Sequence, residues 1–123
     1  MIVIFSFIKS FIKKNTPNFD ELTLKALHEA GSDLSKPHLV EHHFVVWDRK
    51  LLNNLIQELK VNNYEISEVL DDTYTNGQPY LYFDAIKSTI MSKSIVYHES
   101  NLMKSLAVKY NVEYDGWGTS VVK

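Results

Sequence analysis

Three histidines fall close together at His38, His42 and His43, and two more stand apart at His28 and His98. Closely spaced imidazoles can begin a zinc site or supply a general base. Spacing argues against the metal here. A helix would bring His38 and His42 together, but the β-branched and aromatic residues of the segment His38–Trp47 read as a strand. On a strand these two share a face about 13 Å apart, at roughly 3.3 Å per residue, and His43 points the other way. Glu41-His42-His43 is not the His-Glu-x-x-His zinc pattern. The expectation is hydrogen-bonded, partly buried histidines, with no metal and no cofactor.

Two carboxylate pairs, Asp71-Asp72 and Glu113 with Asp115, have the chemistry of an acid and a base. Both pairs fall in turns or at strand ends, where solvated carboxylates are common. The sequence has no nucleophile-and-base pattern and no phosphate-binding glycine loop. It therefore reads as a non-enzyme. There is no cysteine among the 123 residues. That excludes disulfides and thiolate metal sites and suits a reducing, cytoplasmic setting.

Formal net charge is −2. Lys9, Lys13 and Lys14 give residues 1 to 14 a charge of +3, so the remainder carries −5. An acidic body counts against nucleic-acid binding. The apolar run Met1–Ile8 is too short to span a bilayer. Lysines follow it rather than precede it, and no small-residue cleavage site follows, which argues against a secretory signal. As a helix, Met1, Ile4, Phe5, Ile8, Phe11 and Ile12 form one stripe beside the lysines. Such a helix would pack on its own domain or on a second copy, giving a homo-oligomer. Peripheral contact of residues 1–14 with an anionic membrane is the alternative.

The elements that must position the remaining residues follow from periodicity. Residues 1–15 read as the amphipathic head and 16–123 as one domain. Asn18 with Glu21 forms a capping box for a helix over 19–30, and Gly31 suits its left-handed stop. Strand 38–47 alternates Val40, His42, Phe44 and Val46 on one face. Leu39, Glu41, His43, Val45 and Trp47 occupy the other. Asp48 caps a helix over 49–60 whose stripe is Leu51, Leu52, Leu55, Ile56 and Leu59. Tyr64–Leu70 reads as a strand, Asp71–Pro79 as a hairpin-type loop and Tyr80–Ile86 as an interior strand. Lys87–Ser92 reads as a loop. Ile95, Leu102, Met103, Leu106 and Tyr110 fit a helix over 94–110, which Asn111 ends before a last strand. The order predicts an α+β, ferredoxin-like βαββαβ fold: a four-stranded antiparallel sheet, two helices on one face and N-terminal helices before it.

The closing stretch Glu113-Tyr114-Asp115-Gly116-Trp117-Gly118-Thr119 resembles the terminal motif of the RraB family, the regulators of ribonuclease E activity B. Gly31-Ser32-Asp33, Glu41-His42-His43 and Leu34-Ser35-Lys36-Pro37-His38 also resemble the family's pattern, over roughly residues 18 to 120. The EYDGWG string is the specific one. The sequence differs from the family pattern in the basic apolar head and in lacking an acidic tail after the motif. The resemblance implies a ferredoxin-like fold and a non-enzymatic role. The family's best known member binds the disordered scaffold of the endoribonuclease RNase E and lowers its activity, which would make this chain a modulator of RNA turnover. Gly31, Ser32, Asp33, Glu41, His42, Tyr114, Gly116 and Gly118 are the expected structural motif. Asp115-Gly116 reads as a turn or bulge pair, since glycine adopts positive φ without steric cost.

RNA-recognition domains share this topology and stack bases on aromatics of the central strands, for which Tyr80, Tyr82 and Phe83 are the candidates. Tyr-Leu-Tyr-Phe-Asp-Ala-Ile lacks the Lys/Arg-Gly-aromatic pattern, so direct nucleic-acid binding is disfavoured. The sequence with this resemblance points to a regulator that binds another protein, an endoribonuclease scaffold segment, through the open sheet face and its rim. Its candidate contacts are His43, Trp47, Tyr82, Asp115 and Trp117, because aromatics anchor interfaces. A single-stranded RNA-binding module and an oligomerising structural protein are the alternatives.

Overall fold

Helix boundaries in the computed structural model, which describes residues 19–123, have local causes. The helices are α1 (Phe19–Glu29), α2 (Arg49–Val61) and α3 (Lys93–Tyr110). Asp48 accepts the Lys50 N–H at 2.9 Å and starts α2. Ser92 does the same for Ile95 and starts α3. Asn111, at φ 51°, ends α3 in the left-handed region, where an asparagine side chain is tolerated. The head, the boundary at 16–17 and the Asn18 cap lie outside the described residues.

The fold is mixed α/β, with three described helices and an antiparallel sheet of five strands: β1 (Pro37–Val46), β2 (Glu65–Ile66), β3 (Leu70–Thr73), β4 (Pro79–Ile90) and β5 (Glu113–Gly118). The order is β2-β4-β1-β5, and β3 also pairs with β4. Four strands were expected, and the difference lies at Tyr64–Leu70. Only Glu65 and Ile66 pair there, opposite Ile86 and Ala85. Pairing resumes with Leu70 opposite Tyr82, so the β2–β3 side holds one residue more than β4. Ser67 fills the break: its N–H donates to the Asp84 carbonyl, and its hydroxyl accepts the Asp84 N–H at 2.7 Å. β3 then takes up part of the expected loop at 71–79, leaving a tight turn closed by Tyr74 N–H to Gln78 O.

The expected loop at 87–92 is also corrected. β4 continues to Ile90, with Lys87 opposite Val40 and Thr89 opposite His38. Its polar letters hid the alternation. Lys87 and Thr89 point to the helix side, where Lys87 meets Glu99 at 3.2 Å and Thr89 is buried.

That side carries the core. Phe44, Val46, Leu81, Phe83 and Ala85 of the sheet pack against Leu52, Leu55 and Leu59 of α2 and Met103 and Leu106 of α3. A second cluster joins Phe19 and Leu27 of α1 to Val40, Val96, Trp117 and Val121. Each buried Val, Leu, Phe or Met side chain contributes roughly 1.5–3 kcal/mol. Ile95, expected on the α3 stripe, is exposed and Val96 is buried instead. The stripe is one residue out of phase at its start. The other sheet face presents Leu39, Trp47, Leu70 and Tyr82 as exposed side chains.

Candidate partner-binding face

On β5, Asp115 and Trp117 would share a face if the strand were regular. It is not: His42 lies opposite Trp117 and Phe44 opposite Tyr114, so Asp115 and Gly116 together face His43 alone. Gly116 makes this bulge possible with φ 83°, a region costly for side chains with a Cβ. The extra residue turns both Tyr114 and Trp117 toward the helices, and leaves Glu113 and Asp115 with the open face.

Trp117 is therefore not an exposed anchor, which corrects its place among the candidate contacts. It is 1% exposed. Its Nε1–H donates to Asp20 Oδ1 at 2.8 Å, and Phe19 meets it edge-on at 6.5 Å. Asp20 also accepts the Ser100 hydroxyl, so one carboxylate ties α1 to α3 and β5. Phe83, an RNA-stacking candidate, is buried on the same side at 2% exposure.

The open face gathers aromatics from three places. Tyr74 and Tyr80 stack at 4.3 Å, and Tyr80 lies 5.9 Å from Tyr82. Trp47 donates its Nε1–H to the Tyr74 hydroxyl at 3.2 Å. Beside them is a concavity of about 450 Å³ bordered by Asp72 of β3, Asp84 of β4 and Glu113 and Asp115 of β5. Among the described residues no lysine or arginine lines it. His43 also borders it and donates Nδ1–H to Asp84 Oδ1 at 2.6 Å. Glu41 points to this face from β1, opposite Gly118. Burial, and then the Asp84 charge, raise its carboxyl pKa. Arg49 and Asp71 border a smaller hollow of about 240 Å³ next to Trp47. His43, Trp47, Tyr82 and Asp115 thus fall together on one face. Tyr74 and Asp84 join them without having been singled out. The signal for Asp84 was its place as the one charge in an apolar strand; Tyr74 sat in an apparent loop and gave none.

The other motif residues hold the frame. Gly31, at φ 86°, follows α1. His38 Nδ1 must donate to the Lys36 carbonyl at 2.8 Å, so Nε2 accepts the Ser32 hydroxyl at 2.6 Å. The same hydroxyl oxygen accepts the Val122 N–H, and Asp33 N–H donates to the Val122 carbonyl. Ser32 and His38 are buried, and serve to fasten the residues after β5 rather than as a nucleophile and base. Asp33 accepts from the Ser35 hydroxyl and N–H, which lower its carboxyl pKa.

His42 is nearly sealed, with Nδ1 2.8 Å from the Tyr114 hydroxyl. Burial pushes its pKa down to about 3, helped by nearby His43 and Lys87. It is neutral at pH 7. Burial raises Tyr114 well above the ordinary phenol range and also raises Glu99. His42, Glu99 and Trp117 border a cavity of about 10 Å³, too small for any ligand larger than a water. The three clustered histidines thus have three different partners, Ser32, Tyr114 and Asp84. Among the described residues no group of three metal-ligating side chains forms, and no helix is long and apolar enough to cross a membrane.

Residues 18–119 match the family described as Regulator of ribonuclease activity B. Relatives bearing that name include a protein of Pseudoalteromonas atlantica, 29% identical over 85% of this chain and 90% of its own length. A Salmonella typhi protein is 30% identical over 80% of this chain and 71% of its own. One from Pseudoalteromonas translucida is 29% identical over 86% and 96%. All three names describe a regulator of an activity, not an enzyme.

Proposed function

The chain belongs to the Regulator of ribonuclease activity B family, and on that premise we propose that it regulates an RNase E-type endoribonuclease by binding it. We take residues 16–123 as the regulatory domain, with β1-α2-β2/β3-β4-α3-β5 as a ferredoxin-like frame whose second strand is split by a bulge. The working place is the cytoplasm, where such a nuclease acts.

The observation that supports protein binding is the open sheet face. It joins exposed aromatics to several carboxylates, and no lysine or arginine borders its concavity among the described residues. Aromatic side chains beside a hollow are the usual anchors of protein interfaces. The acidic balance of residues 15–123 opposes the RNA-binding alternative, and Phe83 is buried and not available for stacking.

The test measures cleavage of a model RNA by the endoribonuclease, with purified full-length chain added in steps. The nuclease scaffold segment and a single-stranded RNA are titrated separately at two salt concentrations. Inhibition of cleavage with direct scaffold binding is the expected result. Binding to the RNA alone, falling steeply with salt, would replace the proposal with the RNA-binding reading.

A further inference from the structure

All three described helices pack on one side of the sheet, through residues such as Leu27, Leu55 and Met103. The open face on the other side is apolar for a bare surface: Leu39 is 60% exposed, Trp47 45% and Tyr82 36%. In the middle of β1, His43 and Val45 are only partly exposed, and His43 Nε2 is buried. Such a surface calls for a cover with an apolar side of its own.

Residues 1–14 have the matching chemistry. In helical spacing they read as an apolar stripe, and their three lysines carry +3 against −5 for the remainder. Asp72 and Asp84 border the open face. A carboxylate that accepts a hydrogen bond, as Asp84 does from His43, keeps its charge and still attracts a cation. Position agrees. Phe19 and Asp20 open α1 against Trp117 of β5, and β5 is an edge of the sheet. The chain leading into α1 therefore arrives beside that edge. Residues 15–18 reach about 13 Å at roughly 3.3 Å per residue, enough to round it. Residues 1–14 wound as a helix would extend about 21 Å, enough to cross strands spaced about 4.8 Å apart.

We propose that residues 1–14 fold back over the open face as an intramolecular cover, their apolar stripe against β1 and Tyr82 of β4, and compete there with the protein partner. This rests on the protein-binding reading above and adds its regulation: the nuclease scaffold must displace the head before it binds.

The experiment uses the full-length chain. It has no cysteine, so Ser10→Cys supplies one thiol, off the apolar stripe, for a nitroxide label. In spectra of the isotope-labelled protein, amides of β1 and β5 should broaden strongly and those on the outer side of α2 little. Phe5→Ser with Ile8→Ser should release the broadening. It should also tighten scaffold binding about tenfold, the factor for a face that is covered about 90% of the time. Leu39→Ser, at an exposed position, should release the broadening from the other side of the contact. Melting temperatures check that each variant is folded.

Several results would overturn the inference. One is broadening that is missing or confined to the helix side. Another is broadening of an isotope-labelled chain by a separate, spin-labelled one, which would make the head of a second copy the cover. A third is equal scaffold affinity for the native and the released chain, which removes the competition. If the head stays off the face and the scaffold still binds, this inference fails and the regulatory reading stands. If the head covers the face and the scaffold binds neither chain, the regulatory reading fails and the cover stands.

Discussion

Asp20 and Trp117, 97 residues apart in the chain, are joined by a 2.8 Å hydrogen bond from the indole N–H to the carboxylate. The same carboxylate takes the Ser100 hydroxyl, so it satisfies two donors on two other elements. Asp20→Ala leaves both without their acceptor. It should cost about 3 kcal/mol of folding stability, at 1–3 kcal/mol for each buried group left unpaired. Urea unfolding of the full chain measures it. Asp20→Asn, which keeps an acceptor oxygen, should lose less.

The two tryptophans should behave oppositely. Trp47 is 45% exposed and Trp117 is 1% exposed. Trp117→Phe should leave a protein whose fluorescence is red-shifted and strongly quenched by acrylamide. Trp47→Phe should leave blue-shifted emission that resists quenching. In binding to the nuclease, Trp47→Ala should weaken the complex with little change in melting temperature. Trp117→Ala should lower the melting temperature first, because it removes a buried aromatic worth roughly 3–5 kcal/mol.

Gly116 carries the β5 bulge at φ 83°. Gly116→Ala should destabilise by about 1–2 kcal/mol, the range for strain at a non-glycine residue in a left-handed conformation. Gly116→Asn should cost less, since asparagine visits that region more readily. Chemical denaturation ranks the three proteins. Equal stability of all three would remove the bulge as a constraint on sequence.

His42 should give the domain an acid-sensitive limb. Its folded pKa of about 3 lies below the ordinary 6.5. Between those values the unfolded chain binds a proton that the folded chain refuses. Stability is therefore complete above about pH 6.5 and falls as pH drops toward 3, by roughly 1 kcal/mol per pH unit. Neighbouring His43, Tyr114 from β5, Tyr64, Lys87 from β4 and Glu99 from α3 are among the polar groups around it. Glu99 acts against the trend: its raised carboxyl favours the folded state as pH falls toward the ordinary 4.5. The His42 limb should thus be blunted above that pH and steeper below it. His42→Gln should flatten the limb in urea melts taken across pH 3 to 7, whatever its effect at neutral pH.

Much of the frame was legible before any coordinates, because it depends on local rules. Asp48, Asn111 and Gly31 mark helix ends through their own side chains and φ angles, and α2 and α3 follow from 3.6-residue stripes. Strand β1 could be divided into two faces by parity alone, and its helix-side residues Val40, His42, Phe44 and Val46 are the buried ones. Family membership, too, was carried by the EYDGWG string. Tertiary structure decided what parity cannot carry past an inserted residue. The bulge at Asp115-Gly116 sends Trp117 into the core and leaves Asp115 outside, and the one at Ser67 splits a strand in two. Asp115-Gly116 was marked in the sequence as a turn or bulge pair, but which residues its neighbours then face depends on pairing with a distant strand, and nothing in the sequence marked the extra residue at Ser67. The gathering of Tyr74, Tyr80, Tyr82 and four carboxylates around one hollow is likewise a product of register between β3, β4, β1 and β5. Side chains far apart in sequence meet there only because the sheet's hydrogen bonds fix which residue lies opposite which.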